Sequence, residues 1–177
     1  MDEKNERIPQ GYFSKITPRT HAGRGIRSIA KKIDGTVNLL AGFHSLSNMI
    51  LDAVPYCLAK TTAKTTAEEA FNAGVGVCQD HAQIFIAAAR QLGIPARYVS
   101  GYLLRNDIVS QEASHAWAEA YVDGLGWVGF DVSNGVSPDE RYVRLAIGLD
   151  SYDAAPIRGV RMGGTNESML VSLQIQQ

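Results

Sequence analysis

The sequence predicts an α+β domain in which helices come first and an antiparallel β-sheet follows. Apolar residues recur at helical spacing through the first half of the chain, whereas from Ala96 onward they alternate as in β-strands. A glycine-containing turn at residues 123–126 joins two such alternating segments, which is typical of a β-hairpin. Helices and strands that are segregated along the chain favour an α+β architecture.

Length and composition are those of one globular domain. The chain has 177 residues, enough for a sizeable core, and its hydrophobic (45%) and charged (20%) fractions are ordinary. The formal net charge is −1 and no basic patch contains interleaved aromatic residues, so we expect neither nucleic acid nor a membrane as partner. The sequence contains no run of about 18 apolar residues, so no transmembrane helix is predicted.

The N-terminus and the cysteine count bear on the cellular compartment. Residues 1–7 are charged and lead into no apolar segment, unlike a signal peptide, so we expect a cytoplasmic protein with reduced thiols. The alternative is that the chain is a piece of a longer protein that carries its own signal peptide. Two cysteines, Cys57 and Cys78, are too few for a disulfide scaffold, so each must serve packing, metal binding or nucleophilic chemistry.

Residues 1–20 are predicted to form an irregular arm, and residues 21–177 a single domain. Three helices are expected early in that domain, at 21–33, from a cap at Thr36 to about residue 54, and at 67–72. Val37 falls on the apolar face of the second helix. Thr66 and Glu69 form a capping-box pattern at the start of the third helix.

Residues 78–92 predict the central helix of the fold. Past the first turn almost every side chain is apolar, and a helix that is apolar all round is buried all round. A loop with Gly74 and Gly76 precedes it, so Cys78 opens the helix. Gln79 and Asp80 are interpreted as first-turn capping groups.

Strands are expected at 96–104, 113–122 and 127–132, with further strands at 142–146, 157–162 and 168–174. His115 and Asp131 lie on the two strands of the hairpin. A turn centred on residues 124–125 places Asp131 opposite residue 118, three residues from His115. The two side chains could therefore share one face of the sheet.

These residues fit nucleophilic catalysis by a cysteine. A helix N-terminus favours the thiolate, a histidine moves the proton, and a third residue orients the imidazole. The alternatives are a buried structural thiol at Cys78, a core histidine at 115 and a strand-end aspartate at 131. A metal site through Cys78 and His81 is a further alternative, but zinc needs about four ligands and no second paired spacing exists. Cys57 is interpreted as structural.

Four motifs in order resemble the bacterial branch of the transglutaminase-like superfamily. They are GVCQD at 76–80, LGIPARYVSGY at 92–102, SHAWAE at 114–119 and GWVGFD at 126–131. The resemblance implies a papain-like core, with Cys78 as nucleophile, His115 as base and acid, and Asp131 as the orienting residue. The backbone N–H of Cys78 is one natural oxyanion donor, and the resemblance implies Tyr56 as the second, with a packed aromatic as the alternative for Tyr56. No cluster of metal ligands is visible in the sequence, so we expect no metal and no cofactor.

The chain departs from that family pattern at three places. It reads Val-Ser-Asn at 132–134 where Pro-Thr-Asn is common, and His81 stands where an aromatic residue is frequent. We expect neither departure to touch the three candidate residues. About 20 irregular residues replace the β-rich region that usually precedes the core.

The resulting hypothesis is acyl transfer on a peptide or carboxamide through a thioester. Water as acceptor makes the protein a protease or amidase, which the compact core favours. A lysine amine as acceptor makes it a transglutaminase instead. A non-catalytic binding module and a scaffold protein with an occupied cleft are the alternatives outside enzymology.

Overall fold

The computed structural model describes residues 8–35, 37–104 and 114–157. Two short 3-10 helices, Gln10–Ser14 and Pro18–Thr20, come first. The remaining elements of the described residues are α1 (Arg24–Ala30), α2 (Leu39–Ala53), α3 (Ala67–Ala73), α4 (Cys78–Gln91), β1 (Ala96–Leu103), β2 (His115–Val122), β3 (Gly126–Phe130) and β4 (Tyr142–Gly148). The predicted α+β class, with helices packed on an antiparallel sheet, is confirmed.

Helix α4 lies at the centre of the core, as its composition predicts. Every residue from 80 to 90 is buried. The helix packs on β1 and β2, and it also contacts α1, α2 and α3. Its alanines and those of the facing strand, Ala116, Ala118 and Ala120, belong to the same apolar cluster. Such small side chains let the helix and the sheet approach closely.

The described sheet has four antiparallel strands in the order β3-β2-β1-β4. In the β2–β3 hairpin Ala118 pairs with Phe130 and Val122 with Gly126, so the loop has three residues. Ala118 thus pairs with Phe130 rather than with Asp131, so the predicted pairing is wrong by one residue. Gly124 and Gly126 have φ of 80° and 77°, which a glycine adopts without strain and which closes the shorter loop.

The start of α2 differs from the prediction. Asn38 caps the helix, because its side chain accepts the backbone N–H of Ala41 at 3.1 Å. Val37 precedes the cap and is fully exposed, so it does not belong to the buried face. Thr36, the predicted cap, lies outside the described residues. The predicted capping box of Thr66 and Glu69 is confirmed at α3.

The described part of the N-terminal arm packs on the domain. Phe13 is fully buried and its ring meets that of Trp127 edge to face, with centroids 5.3 Å apart. The Arg90 guanidinium of α4 donates to the carbonyl of Phe13 at 2.9 Å and to the hydroxyl of Thr20 at 2.8 Å. The division at residue 20 stays a prediction. The predicted strands at 157–162 and 168–174 lie outside the described residues, except for Ile157, which is not in a strand.

No helix among the described residues has the length and apolar character needed to cross a bilayer.

Helix α1 is capped by a carboxylate from another helix. Glu68 of α3 accepts the backbone N–H groups of Gly23, Gly25 and Ile26 at 2.9, 2.8 and 3.2 Å. A side chain at Gly23 would clash, since its Cβ would lie 2.4 Å from a Glu68 side-chain atom. The contact satisfies N–H groups that a helix start leaves unpaired and ties α1 to α3.

Replacing Glu68 tests this tie. We expect Glu68→Ala to lower the free energy of unfolding by about 2–3 kcal/mol, because three N–H groups lose a charged acceptor. Urea denaturation measures the change. Glu140→Ala, at an exposed site, is the control and should shift the free energy by less than about 0.5 kcal/mol. Equal effects of the two substitutions would contradict the role of Glu68.

Candidate active site

Cys78 is the first residue of α4 and is half-buried. Asp80 fixes the segment before it, accepting the backbone N–H of Val77 at 2.9 Å and the hydroxyl of Thr61 at 2.6 Å. Asp80 is fully buried, and a Cβ on Gly76 would lie 2.9 Å from its Cβ. The glycine therefore allows the loop to pass close to the helix start, and the helix places the thiol at a defined point.

His115 and Asp131 are in direct contact, as the hairpin predicts. Nε2 of His115 lies 2.6 Å from Oδ2 of Asp131. His115 begins β2, while Asp131 directly follows β3 and exchanges two backbone hydrogen bonds with Val136. The Cys78 thiol is near enough to the same imidazole to help raise the pKa of His115. Because Nε2 is bonded to Asp131, Nδ1 is the ring nitrogen left for the thiol.

Two further residues hold Asp131, and sequence reasoning missed both. Asn134 Nδ2 lies 2.6 Å and the Tyr142 hydroxyl 2.8 Å from Oδ2, and each donates to that oxygen. Asn134 agrees with the family pattern, so the expectation that the departures leave the three candidate residues untouched does not concern it. An asparagine three residues after an aspartate in a turn is a usable signal. No sequence signal pointed to Tyr142, because strand pairing in the folded sheet is what brings β4 near Asp131.

Aromatic rings enclose the imidazole on its other side. Trp117 and Tyr142 pack edge to face at 5.4 Å, and their rings lie 6.3 and 6.0 Å from that of His115. The His115 side chain is only 14% exposed and that of Asp131 is fully buried. The pair consequently interacts in a medium of low polarity, where its attraction is stronger than in water.

The electrostatics of the site favour a charged imidazole. Burial alone lowers the pKa of His115 and is the largest single influence on it. Hydrogen bonds and charges of Asp131 and Cys78 together outweigh burial and raise the pKa to about 9. For Asp131, burial raises the pKa, but the bonds from His115, Asn134 and Tyr142 bring it below its ordinary value. Burial and the Asp131 bond raise the pKa of Tyr142, so its hydroxyl stays a donor.

His81 is not available to a metal. Its Nε2 lies 2.7 Å from the carbonyl of Val54 and its Nδ1 lies 2.8 Å from Oγ of Ser133. Among the described residues no group of three or more His, Cys, Asp or Glu side chains could hold an ion. The alternative of a Cys78–His81 metal site is thus unsupported, and the expected absence of a cofactor stays a prediction.

Tyr56 lies close to the segment that leads into Cys78. It forms a bridge with Gly76, in which the N–H of Cys57 donates to the Gly76 carbonyl at 2.8 Å. Half of its surface is exposed. Burial of the hydroxyl, followed by the charge of Cys78, raises the pKa of Tyr56. Its role as an oxyanion donor stays a prediction.

Comparison with known proteins identifies the family. The sequence model of the transglutaminase-like superfamily matches residues 27–132, more than half of the chain. The chain therefore belongs to the transglutaminase-like superfamily.

Two mycobacterial relatives are uncharacterized proteins. The one from Mycobacterium leprae is 36% identical over 118 residues, which are 64% of this chain and 40% of the relative. The one from Mycobacterium tuberculosis is 32% identical over 142 residues, which are 75% of this chain and 45% of the relative. The chain thus spans less than half the length of these relatives.

Two solved structures share the fold. The "putative cysteine protease" of Cytophaga hutchinsonii is 32% identical, with a TM-score of 0.68 over 81% of this chain and 48% of that one. The periplasmic domain of TgpA from Pseudomonas aeruginosa, bound to ethylmercury, is 23% identical, with a TM-score of 0.53 over 70% of this chain and 48% of that one. The second resemblance supports the fold alone.

The raised pKa of His115 predicts how stability depends on pH. A group whose pKa is higher in the folded state stabilises fully below its unfolded pKa, about 6.5 for histidine, and loses that contribution as pH rises through its folded pKa. The free energy of unfolding should therefore decline between about pH 6.5 and 9. Asp131→Asn should remove most of this decline, because it removes the charge that holds the proton.

Urea denaturation across that pH range measures the effect. Asp139→Asn is the matched control, since Asp139 is paired with Arg141 at 2.7 Å on the surface and does not contact His115. A decline that persists unchanged in Asp131→Asn would show that another group causes it.

Proposed function

We propose that the protein is a cysteine-dependent acyl-transfer enzyme that acts on peptide or carboxamide bonds, with hydrolysis as its main reaction. The contact of His115 with Asp131, beside a thiol at the start of a buried helix, carries this proposal. Membership of the transglutaminase-like superfamily supports it, as does the likeness to the Cytophaga hutchinsonii structure.

The first half of the reaction forms a thioester. The Cys78 sulfur, as thiolate beside the His115 imidazolium, attacks the carbonyl carbon, and the carbonyl oxygen takes up the negative charge. When the tetrahedral intermediate collapses, the C–N bond breaks and the leaving nitrogen takes a proton from His115. Asp131 keeps the imidazole in the orientation that presents Nδ1 to the sulfur.

The second half regenerates the enzyme. His115, now neutral, takes a proton from the attacking water while the oxygen bonds to the acyl carbon. The C–S bond then breaks, releasing a carboxylic acid and restoring the thiolate–imidazolium pair. An amine in place of water gives a new amide, which is the transglutaminase alternative. The choice depends on whether the bound acyl group is shielded from water.

An extended polypeptide fits the surface beside Cys78. Tyr56, which forms the bridge to Gly76, and Leu58, two residues further on, are large side chains with exposed fractions of 50% and 70%. The backbone N–H and C=O of Tyr56 are not used in that bridge, since the bonds run from Gly76 to Pro55 and from Cys57 to Gly76. A substrate strand could pair with them, which supports a peptide or protein substrate. The alternative of a non-catalytic binding module uses the same surface without the chemistry.

The two cysteines provide a matched test of the nucleophile. Cys78→Ala should reduce turnover of a peptide-amide library by at least about a thousandfold, because the covalent route is lost. Cys57→Ala should leave turnover unchanged, because it keeps the backbone N–H that donates to Gly76 and removes a thiol whose bond to the Leu58 carbonyl is a long 3.8 Å. Free acid, ammonia release and incorporation of a primary amine are followed together. Activity that survives in Cys78→Ala would remove the proposal, and amine incorporation exceeding hydrolysis would favour the transglutaminase alternative.

Tyr56 is tested separately, as the predicted second oxyanion donor beside the Cys78 N–H. Tyr56→Phe keeps the ring and removes only the hydroxyl, so kcat should fall by about a hundredfold while KM changes little. Steady-state kinetics on the same peptide amides measure both constants. An unchanged kcat would leave Tyr56 as a packing residue without affecting the role of Cys78.

A further inference from the structure

His81 connects three segments of the candidate site. It lies one helical turn after Cys78 on α4 and is 1% exposed. Its Nε2 contacts the carbonyl of Val54, two residues before Tyr56. Its Nδ1 contacts the hydroxyl of Ser133, two residues after Asp131. One buried imidazole therefore joins α4, the segment leading to Tyr56, and the loop of residues 131–136, called the Asp131 loop below.

The partners determine how the imidazole is bonded. A carbonyl can only accept, so Nε2 of His81 carries the proton and donates to Val54. Nδ1 then accepts from the Ser133 hydroxyl when the ring is neutral. Burial lowers the pKa of His81, although the Val54 bond and the charges of Asp80 and Asp131 act in the opposite direction. A neutral ring with two directed bonds is thus the form that fits this position.

We propose that His81 is a positioning residue, which through Ser133 fixes the Asp131 loop relative to the helix that carries Cys78. The proposal rests on the function assigned to Cys78, His115 and Asp131. It also connects two departures from the family pattern, at residue 81 and at residues 132–133, because His81 and Ser133 are bonded to each other. A phenylalanine or tyrosine ring at residue 81 could not accept a bond from Ser133 through a ring nitrogen.

The expected effect is graded, because Asp131 has other restraints. Asn134 and Tyr142 both donate to Oδ2, and the backbone of Asp131 is paired with Val136. Loss of the His81–Ser133 bond should therefore loosen the loop rather than release it. The His115–Asp131 contact should weaken, and it is this contact that holds the proton on His115. The titratable groups that face His115 are Asp131, Cys78 and Tyr142.

Titration of His115 by NMR of the imidazole in the intact chain tests the proposal. In Ser133→Ala the pKa of His115 should fall by roughly 0.4 to 1 unit, the equivalent of one ordinary hydrogen bond. His81→Phe should lower it at least as much, and the double variant no further than His81→Phe, because both substitutions break one bond. Ser133→Thr keeps a hydroxyl and should retain the wild-type pKa.

A buried serine elsewhere separates positioning from general stability. Ser47 of α2 is buried, donates to the Phe43 carbonyl at 3.1 Å and shares no hydrogen-bond partner with His81. Ser47→Ala should lower the melting temperature but leave the pKa of His115 unchanged. A wild-type pKa in Ser133→Ala, whatever its melting temperature, overturns the proposal. If His115 of the unsubstituted protein instead has the ordinary pKa of a histidine and Cys78 is unreactive, the proposed function is wrong, and the inference loses its basis.

Discussion

Burial of helix α4 on all sides is the constraint on which the candidate site depends. The sheet covers one side of the helix and α1, α2 and α3 contact it elsewhere, so the helix cannot slide or rotate without opening the core. At its far end Arg90 donates to the carbonyls of Phe13, Ala96 and Leu149. Burial lowers the pKa of Arg90 to about 10, although the charge of Asp150 opposes this, so the guanidinium stays charged at neutral pH.

A helix held at both ends places its first residue with little freedom. The Arg90 contacts tie the C-terminal turn of α4 to the N-terminal arm and to the residue after β4. At the other end Asp80 ties the first turn to the preceding loop and to Thr61. Cys78 is therefore presented by the core itself, whereas His115 and Asp131 are presented by the sheet. Reactive groups supported by separate rigid elements keep their geometry better than groups on loops.

Asp131 is the point at which these supports converge. Three donors from different parts of the chain, His115, Asn134 and Tyr142, share its Oδ2. A carboxylate with that many donors stays ionised although it is buried, which explains why its pKa falls and that of His115 rises. The shared oxygen also limits movement of the imidazole, because Asp131 is held by two further donors, Asn134 and Tyr142.

The sequence predicted the features that depend on local pattern. Residue spacing predicted the apolar run of α4, the Thr66 capping box and the His115–Asp131 hairpin. It did not predict the exact register of the hairpin, because composition alone does not distinguish the three-residue loop that Gly124 and Gly126 close from a four-residue loop. The start of α2 was missed because a better cap, Asn38, lies two residues beyond Thr36.

Contacts between distant parts of the chain explain the remaining differences. Glu68 of α3 caps α1 although it lies 43 and 45 residues along the chain from the two glycines that it contacts, and no local sequence pattern indicates such a partner. Tyr142 reaches Asp131 only because β4 joins the edge of the sheet next to β1. His81 and Ser133 looked like independent departures from the family pattern, and only the folded chain brings their side chains together.

If Cys78 is the nucleophile, it carries the acyl group during the reaction. Mass spectrometry of the intact protein, quenched in acid during turnover of a peptide amide and then mapped by proteolysis, tests this most directly. We expect one acyl group per chain, linked as a hydroxylamine-sensitive thioester to Cys78. An acyl group on Cys57 or on a lysine, or turnover with no labelled Cys78 even when deacylation is slowed, would contradict it.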